Sequence, residues 1–155
     1  MTPAFDPISA AARGAAGGAV ATGVMSAVML GAERLGLMGR HPPERIVERG
    51  LAAVGAEQER TRVDAAAGGA HLVFGTACGA LFGLIARVVR PRAPEALGVP
   101  FAVGVWIVSY FGWIPALRIL PPPSEDRPGR AWTMLAAHLV YGVALGAAWR
   151  VLARR

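Results

Sequence analysis

Four stretches of this sequence contain no charged residue: 14–32, 65–86, 96–117 and 131–149. Each is 19–22 residues long, and a helix needs about 20 apolar residues to cross a hydrocarbon core of about 30 Å. Lipid offers the backbone no hydrogen-bond partner, so segments of this kind are expected to be helices. Four buried helices of a soluble bundle would each show a polar face, and none of these runs does. The expected fold is therefore all-α: an integral membrane four-helix bundle, one membrane domain over residues 1–155. The first run is expected to stay in the mature chain. Only Arg13 precedes it, and it is longer than the apolar core of a signal peptide.

The second constraint is an internal echo. AHLVFGTACGALFGLIAR at 70–87 returns as AHLVYGVALGAAWRVLAR at 137–154, an offset of 67 residues. Ala70, His71, Leu72, Val73, Gly75 and Gly79 recur as Ala137, His138, Leu139, Val140, Gly142 and Gly146, and Phe74 becomes Tyr141. A weaker match at offset 81 pairs Gly23, Val24 and Gly31 with Gly104, Val105 and Gly112, and Pro42-Pro43 nearly meets Pro122-Pro123. The reading is a span, Pro-Pro loop, AHLV-span unit present twice. Two spans per unit give parallel repeats about an axis along the membrane normal.

The loops differ. In loop one, Pro42-Pro43 can start a helix. Ile46, Val47, Leu51 and Val54 lie near one face, so an amphipathic helix is expected at about 43–54, on the membrane surface or capping the bundle. Residues 56–64 read as a polar connector. In loop three, Ser124 or Asp126 is expected to cap the last span. Trp132 and Trp149 fall near its opposite ends, as in an aromatic belt.

All 16 basic residues are arginine, and the formal charge is +6. They cluster at span ends and in loops, which points to lipid headgroups and not to nucleic acid. Seven lie at the termini and loop two, nine in loops one and three. The raw count slightly favours external termini. The acid-poor clusters Arg87/Arg90/Arg92 and Arg150/Arg154/Arg155 directly flank spans, however, and favour cytoplasmic termini in a bacterial inner membrane. Cys78 is alone and inside a span, which excludes an intramolecular disulfide.

His71 and His138 are the residues most open to chemistry. His71 is seven residues in from Asp64, and His138 eight in from Arg130. At 1.5 Å per residue both imidazoles sit roughly 10–12 Å below one surface. Ser26 and Tyr110 reach the same level from the other two spans, so Ser26, His71, Tyr110, His138 and Tyr141 form a candidate polar layer. His71, Gly75, Gly79 and Gly83 make one i+4 stripe, and His138, Gly142 and Gly146 the other. Such small-residue stripes bring helices close. The imidazoles are thus expected to face other helices as structural partners, with no metal and no cofactor. The sharper alternative is a haem- or small-ligand-binding redox module using His71 and His138. No acid lies inside a span to support a proton relay. Trp106, Tyr110 and Trp113, at i, i+4 and i+7, read as a packing stripe or a wall for an apolar ligand. Met25 and Met29 read as gap-fillers. There is no P-loop, nucleophile elbow or zinc spacing.

GVMSAVMLGAERLGLMGRHPPERIVER, AHLVFG, WIVSYFGWIPALRILPP and AHLVYG together resemble small four-span bacterial membrane proteins grouped as domains of unknown function, and more distantly YagU-type inner-membrane proteins. The resemblance spans roughly residues 14–150. It implies a four-span inner-membrane protein and brings no catalytic residues. The expected function is non-enzymatic: a structural or accessory component, or a small-solute pathway. Expected partners are the lipid bilayer and a second copy or another membrane protein, since so small a bundle has few ways to enclose a pathway alone.

Overall fold

The computed structural model describes residues 6–37, 42–55, 59–126 and 129–154. Among them are α1 (Pro7–Arg34), α2 (Pro42–Ala53), α3 (Arg60–Val89), α4 (Pro94–Ile107), a π-helical segment (Val108–Trp113), α5 (Ile114–Ala116) and α6 (Arg130–Leu152). There is no strand among these residues. Four helices are long and apolar enough to cross a membrane: Pro7–Arg34, Thr61–Val89, Pro94–Ala116 and Arg130–Leu152. The fold is an all-α bundle of four such helices.

The helices overrun the charge-free stretches. α1 starts at Pro7 because Asp6 accepts the Ile8 and Ser9 N–H groups on its Oδ1, each at 3.1 Å, and Pro7 needs no amide partner. α3 starts at Arg60, so residues 60–64 are helix and not connector. An Arg62–Glu59 ion pair of 2.8 Å lies at that first turn. At 28 and 30 residues, α1 and α3 are about 42–45 Å long. That exceeds the hydrocarbon core, so their polar ends reach the headgroup zones.

Packing closes the helices into a ring. α1 lies against α3 and α6, α4 lies against α6, and α3 touches α4 least. Glycines set the closest approaches. A Cβ on Gly79 would lie 2.6 Å from the Gly18 Cα, and one on Gly83 would lie 2.9 Å from the Gly14 Cα. On the other side, a Cβ on Gly142 would lie 2.8 Å from the Gly98 carbonyl carbon, and one on Gly146 would meet the Pro94–Glu95 backbone. Backbone against backbone leaves no room for any side chain at these points. Gly23, Gly31, Gly104 and Gly112 face open space. At the end carrying loop two and the termini, Phe82, wholly buried, packs against Phe101 at 5.4 Å and Trp149 at 6.4 Å between ring centroids. That aromatic cluster plugs the bundle. Trp149 is consequently buried and not a headgroup-facing ring, whereas Trp132 is exposed.

The opposite end is looser. α2 packs on α3, capping the bundle with Pro43 and Ile46. Val54 falls in the turn beyond α2 and is exposed, so it is not part of the apolar face. Neither Ser124 nor Asp126 caps α6. Its N-cap is Gly129, in the left-handed region at φ 90°. Asp126 instead pairs with Arg130 at 2.9 Å and accepts the Tyr110 hydroxyl at 2.7 Å. Its carboxylate and the Arg130 guanidinium are both buried.

The third span changes register. Pro115 has no N–H for an i−4 bond and crowds the carbonyl of residue 111. The preceding turn widens into the π-helical segment, where the Ile114 N–H reaches the Ser109 carbonyl. The i, i+4, i+7 stripe is thereby split. Trp106 stacks on Tyr110 at 5.8 Å, while Trp113 turns toward Phe74 of α3 at 6.3 Å.

Candidate functional site: an intramembrane cavity

Above the glycine contacts the helices diverge around a cavity of about 240 Å³. His71 and His138 both line it, as do Met25, Met29 and Met134, with Ser109 and Trp113 on the π-helical wall. Pro43 and Ile46 of α2 form part of its cover. The wall is overwhelmingly apolar, and the placement of its few polar groups decides what the cavity can hold.

Most of those groups are already engaged with backbone. Thr22 donates its hydroxyl to the Gly18 carbonyl at 2.7 Å. Tyr141 donates across the bundle to the Gly75 carbonyl at 2.8 Å. The His138 Nδ1–H donates to the Met134 carbonyl at 2.8 Å. A carbonyl only accepts, so Nδ1 carries a hydrogen, and in the neutral ring the lone pair is on Nε2. Trp113 Nε1–H donates to Ser109 Oγ at 3.2 Å. Gly75 is needed locally, because any Cβ there would collide with Thr22 Oγ1. A glycine therefore admits Thr22, and Tyr141 caps the carbonyl of that same glycine.

Of the five residues of the polar layer, the structure brings Ser26 and His71 into contact, Ser26 Oγ lying 3.2 Å from His71 Nδ1. His71, His138 and Tyr141 line the cavity. Tyr110 does not, since its hydroxyl is committed to Asp126 outside the cavity wall. Residues that sequence reasoning passed over are Gly14, Gly18 and Gly98, the partners of the glycine stripes, together with Ser109, Thr22 and Met134. Gly14, Gly18 and Thr22 carried a readable signal, small or polar residues at i+4 steps inside a charge-free run; Ser109 and Met134 carried none.

A second hollow of about 350 Å³ adjoins the first on the loop-one side, sharing Met29, Pro43 and His71 with it. Glu33, Glu44 and Asp64 line this mouth. His71 thus stands between an acid-lined mouth and an apolar chamber. Among the described residues no three of His, Cys, Asp and Glu form a group that could hold a metal ion.

Residues 8–155 match the model of a family of unknown function, DUF6789. The chain belongs to this family. No curated protein and no solved structure matches it. In this DUF6789 chain the cavity is the feature that bears on function.

Proposed function

We propose that this DUF6789 chain is a non-enzymatic, multi-pass membrane protein whose cavity holds a small, mostly apolar solute carrying one hydrogen-bonding group. One observation carries the reading: a chamber lined by both imidazoles, above helix pairs whose glycines pack backbone to backbone. Protein interiors rarely leave such space. A dry apolar cavity of about 150 Å³ accepts benzene, and drug-sized ligands occupy about 300–1,000 Å³. At about 240 Å³, the chamber suits a one- or two-ring molecule or a short branched chain. His138 Nε2 offers such a solute an acceptor. Haem coordination by His71 and His138 would need room for a macrocycle between the rings, and the chamber falls short even of the drug-sized range.

The chamber is blind. Phe82, Leu145 and the glycine contacts close the terminal end, so exchange is through the acid-lined mouth or between α3 and the π-helical segment, where Phe74 and Trp113 meet. The two hairpins are read as copies of one parallel unit. Gly18 faces Gly75 and Gly79 in one, and Gly98 faces Gly142 and Gly146 in the other. A bacterial inner membrane with cytoplasmic termini fits the arginine clusters and the YagU-type likeness. A second copy of the chain is the expected partner.

The test is binding of 1-naphthol, which has two rings and one hydroxyl, to protein in lipid nanodiscs, with empty nanodiscs subtracted. Saturable one-to-one binding is expected, lost when Val105→Phe or Cys78→Phe fills the chamber. Equal uptake by wild type and both filled variants sinks the proposal.

A further inference from the structure

At the opposite end of the bundle, beyond the Phe82 plug, lies a hollow of about 500 Å³. Arg13 enters it from α1, Arg87 from the last turn of α3, and Arg90 from the start of loop two. Ser9 and Asp6 line one side, and Trp149 of α6 stands at the base. We propose that this hollow is a binding site for the headgroup phosphate of an anionic phospholipid.

Several arginines of the chain are paired with carboxylates, and among the described residues the three of the hollow are not. Arg45 pairs with Glu48, Arg62 with Glu59, Arg130 with Asp126 and Arg150 with Glu95. Among the described residues Arg13, Arg87 and Arg90 have no ion pair. Among the described residues Asp6 is the only carboxylate lining the hollow, and its Oδ1 already accepts two amide hydrogens at the start of α1. Three guanidiniums against one carboxylate leave a concentrated positive charge around an open hollow.

Geometry adds to charge. Arg90 ends α3 at φ 50°, in the left-handed region that favours glycine, with its N–H on the Ala86 carbonyl. An arginine stands where glycine would relieve the backbone, and its side chain borders the hollow. Guanidinium forks match phosphate oxygens in bidentate fashion. The site sits at the ends of membrane-length helices, where phosphates of the bilayer stand, and basic pockets between such helices bind anionic headgroups. Ala10 and Ala86, both buried, give the floor an apolar surface on which the start of the acyl region can rest.

The full chain, purified in detergent and stripped of lipid, is titrated with dihexanoyl phosphatidylglycerol, dihexanoyl phosphatidylcholine and inorganic phosphate, read by native mass spectrometry and thermal shift. Phosphatidylglycerol should bind saturably and raise the melting temperature, and the other two should bind at least about tenfold more weakly. Arg13→Gln and Arg90→Gln, each leaving two guanidiniums, should each weaken phosphatidylglycerol binding by about tenfold, the size of one charge-assisted hydrogen bond. Arg92→Gln and Arg154→Gln, outside the hollow, should leave it unchanged. Equal loss in all four variants would reduce the effect to general surface charge and overturn the proposal. Phosphate binding as tight as phosphatidylglycerol would overturn the lipid assignment, and equal binding of the two lipids would overturn recognition of charge.

Discussion

Gly79 faces the backbone of α1 so closely that one methyl group decides the packing. A Cβ there would lie 2.6 Å from the Gly18 Cα and 2.8 Å from its nitrogen. Carbon atoms prefer about 3.5–4.0 Å, so the deficit is about 1 Å. Both sides are backbone, and no rotamer can relieve it. α1 and α3 must separate, loosening the neighbouring contacts of Gly14 and Gly83 as well. Overpacking of this kind costs about 1–3 kcal/mol, and the alanine returns up to about 1 kcal/mol in helix propensity. Gly79→Ala should therefore be destabilising, and Gly79→Leu more so. Gly23 is the control: it is helical too, but nothing lies within 4 Å of its built Cβ. Gly23→Ala keeps only the propensity gain. The two alanine variants should part by about 1–3 kcal/mol in opposite directions from wild type. Reversible unfolding in mixed micelles measures this. Gly79→Ala matching Gly23→Ala in stability would refute the claim that backbone contact, and not mere smallness, sets the α1–α3 distance.

Three further outcomes are expected. Asp126→Ala leaves the buried Arg130 guanidinium without its carboxylate and removes the Tyr110 acceptor, so it should destabilise by about 3–5 kcal/mol; thermal unfolding of Asp126→Ala beside Asp126→Ala/Arg130→Met, which should recover part of the loss, checks it. Pro115→Ala restores an N–H to the third span and should relax the π-helical segment toward α-helix, moving Trp113 away from Phe74; an unchanged tryptophan emission spectrum and unchanged naphthol affinity would speak against it. Reporter fusions at the C-terminus should be active in the cytoplasm, and activity confined to the far side would reverse the orientation.

The long helices were legible because absence of charge over 19–22 residues is a property of each run by itself. Rise per residue is fixed, so counting from the span ends expects His71 and Ser26 near one level, and the two side chains lie in contact. Rotation about the helix axis was not legible in span 1. Each residue turns a helix by about 100°, so a one-residue shift of alignment moves a stripe to a different face. Offset 81 picked Gly23, Gly31, Gly104 and Gly112, which face open space, whereas Gly18 and Gly98, 80 apart, make the backbone contacts. The π-helical segment was hidden because hydrophobic periodicity assumes a constant turn, and Pro115 breaks that constancy locally. The Asp126–Arg130 pair was not legible, because Asp126 precedes α6 and its approach to Arg130 does not follow from spacing along a helix.

These differences put adaptability and rigidity at opposite ends of one bundle. Toward the termini, Gly14, Gly18, Gly79, Gly83, Gly98, Gly142 and Gly146 hold backbones in contact, and Phe82 and Leu145 are fully buried. Nothing there can yield without separating helices. Toward loops one and three, the cavity wall includes three methionines, whose unbranched thioether chains repack at small expense. The third span widens there, and α2 covers the opening as a separate short element. Tyr141 joins the two regions, with its ring beside the cavity and its hydroxyl on the Gly75 carbonyl, where the glycine contacts begin. A solute entering the chamber can be accommodated by methionine rotamers, by Trp113 and by α2, while the floor beneath Tyr141 stays fixed. The same floor separates the chamber from the arginine-lined hollow at the far end, so an anionic headgroup bound there bears on the rigid half of the bundle and leaves the chamber's walls free to adjust.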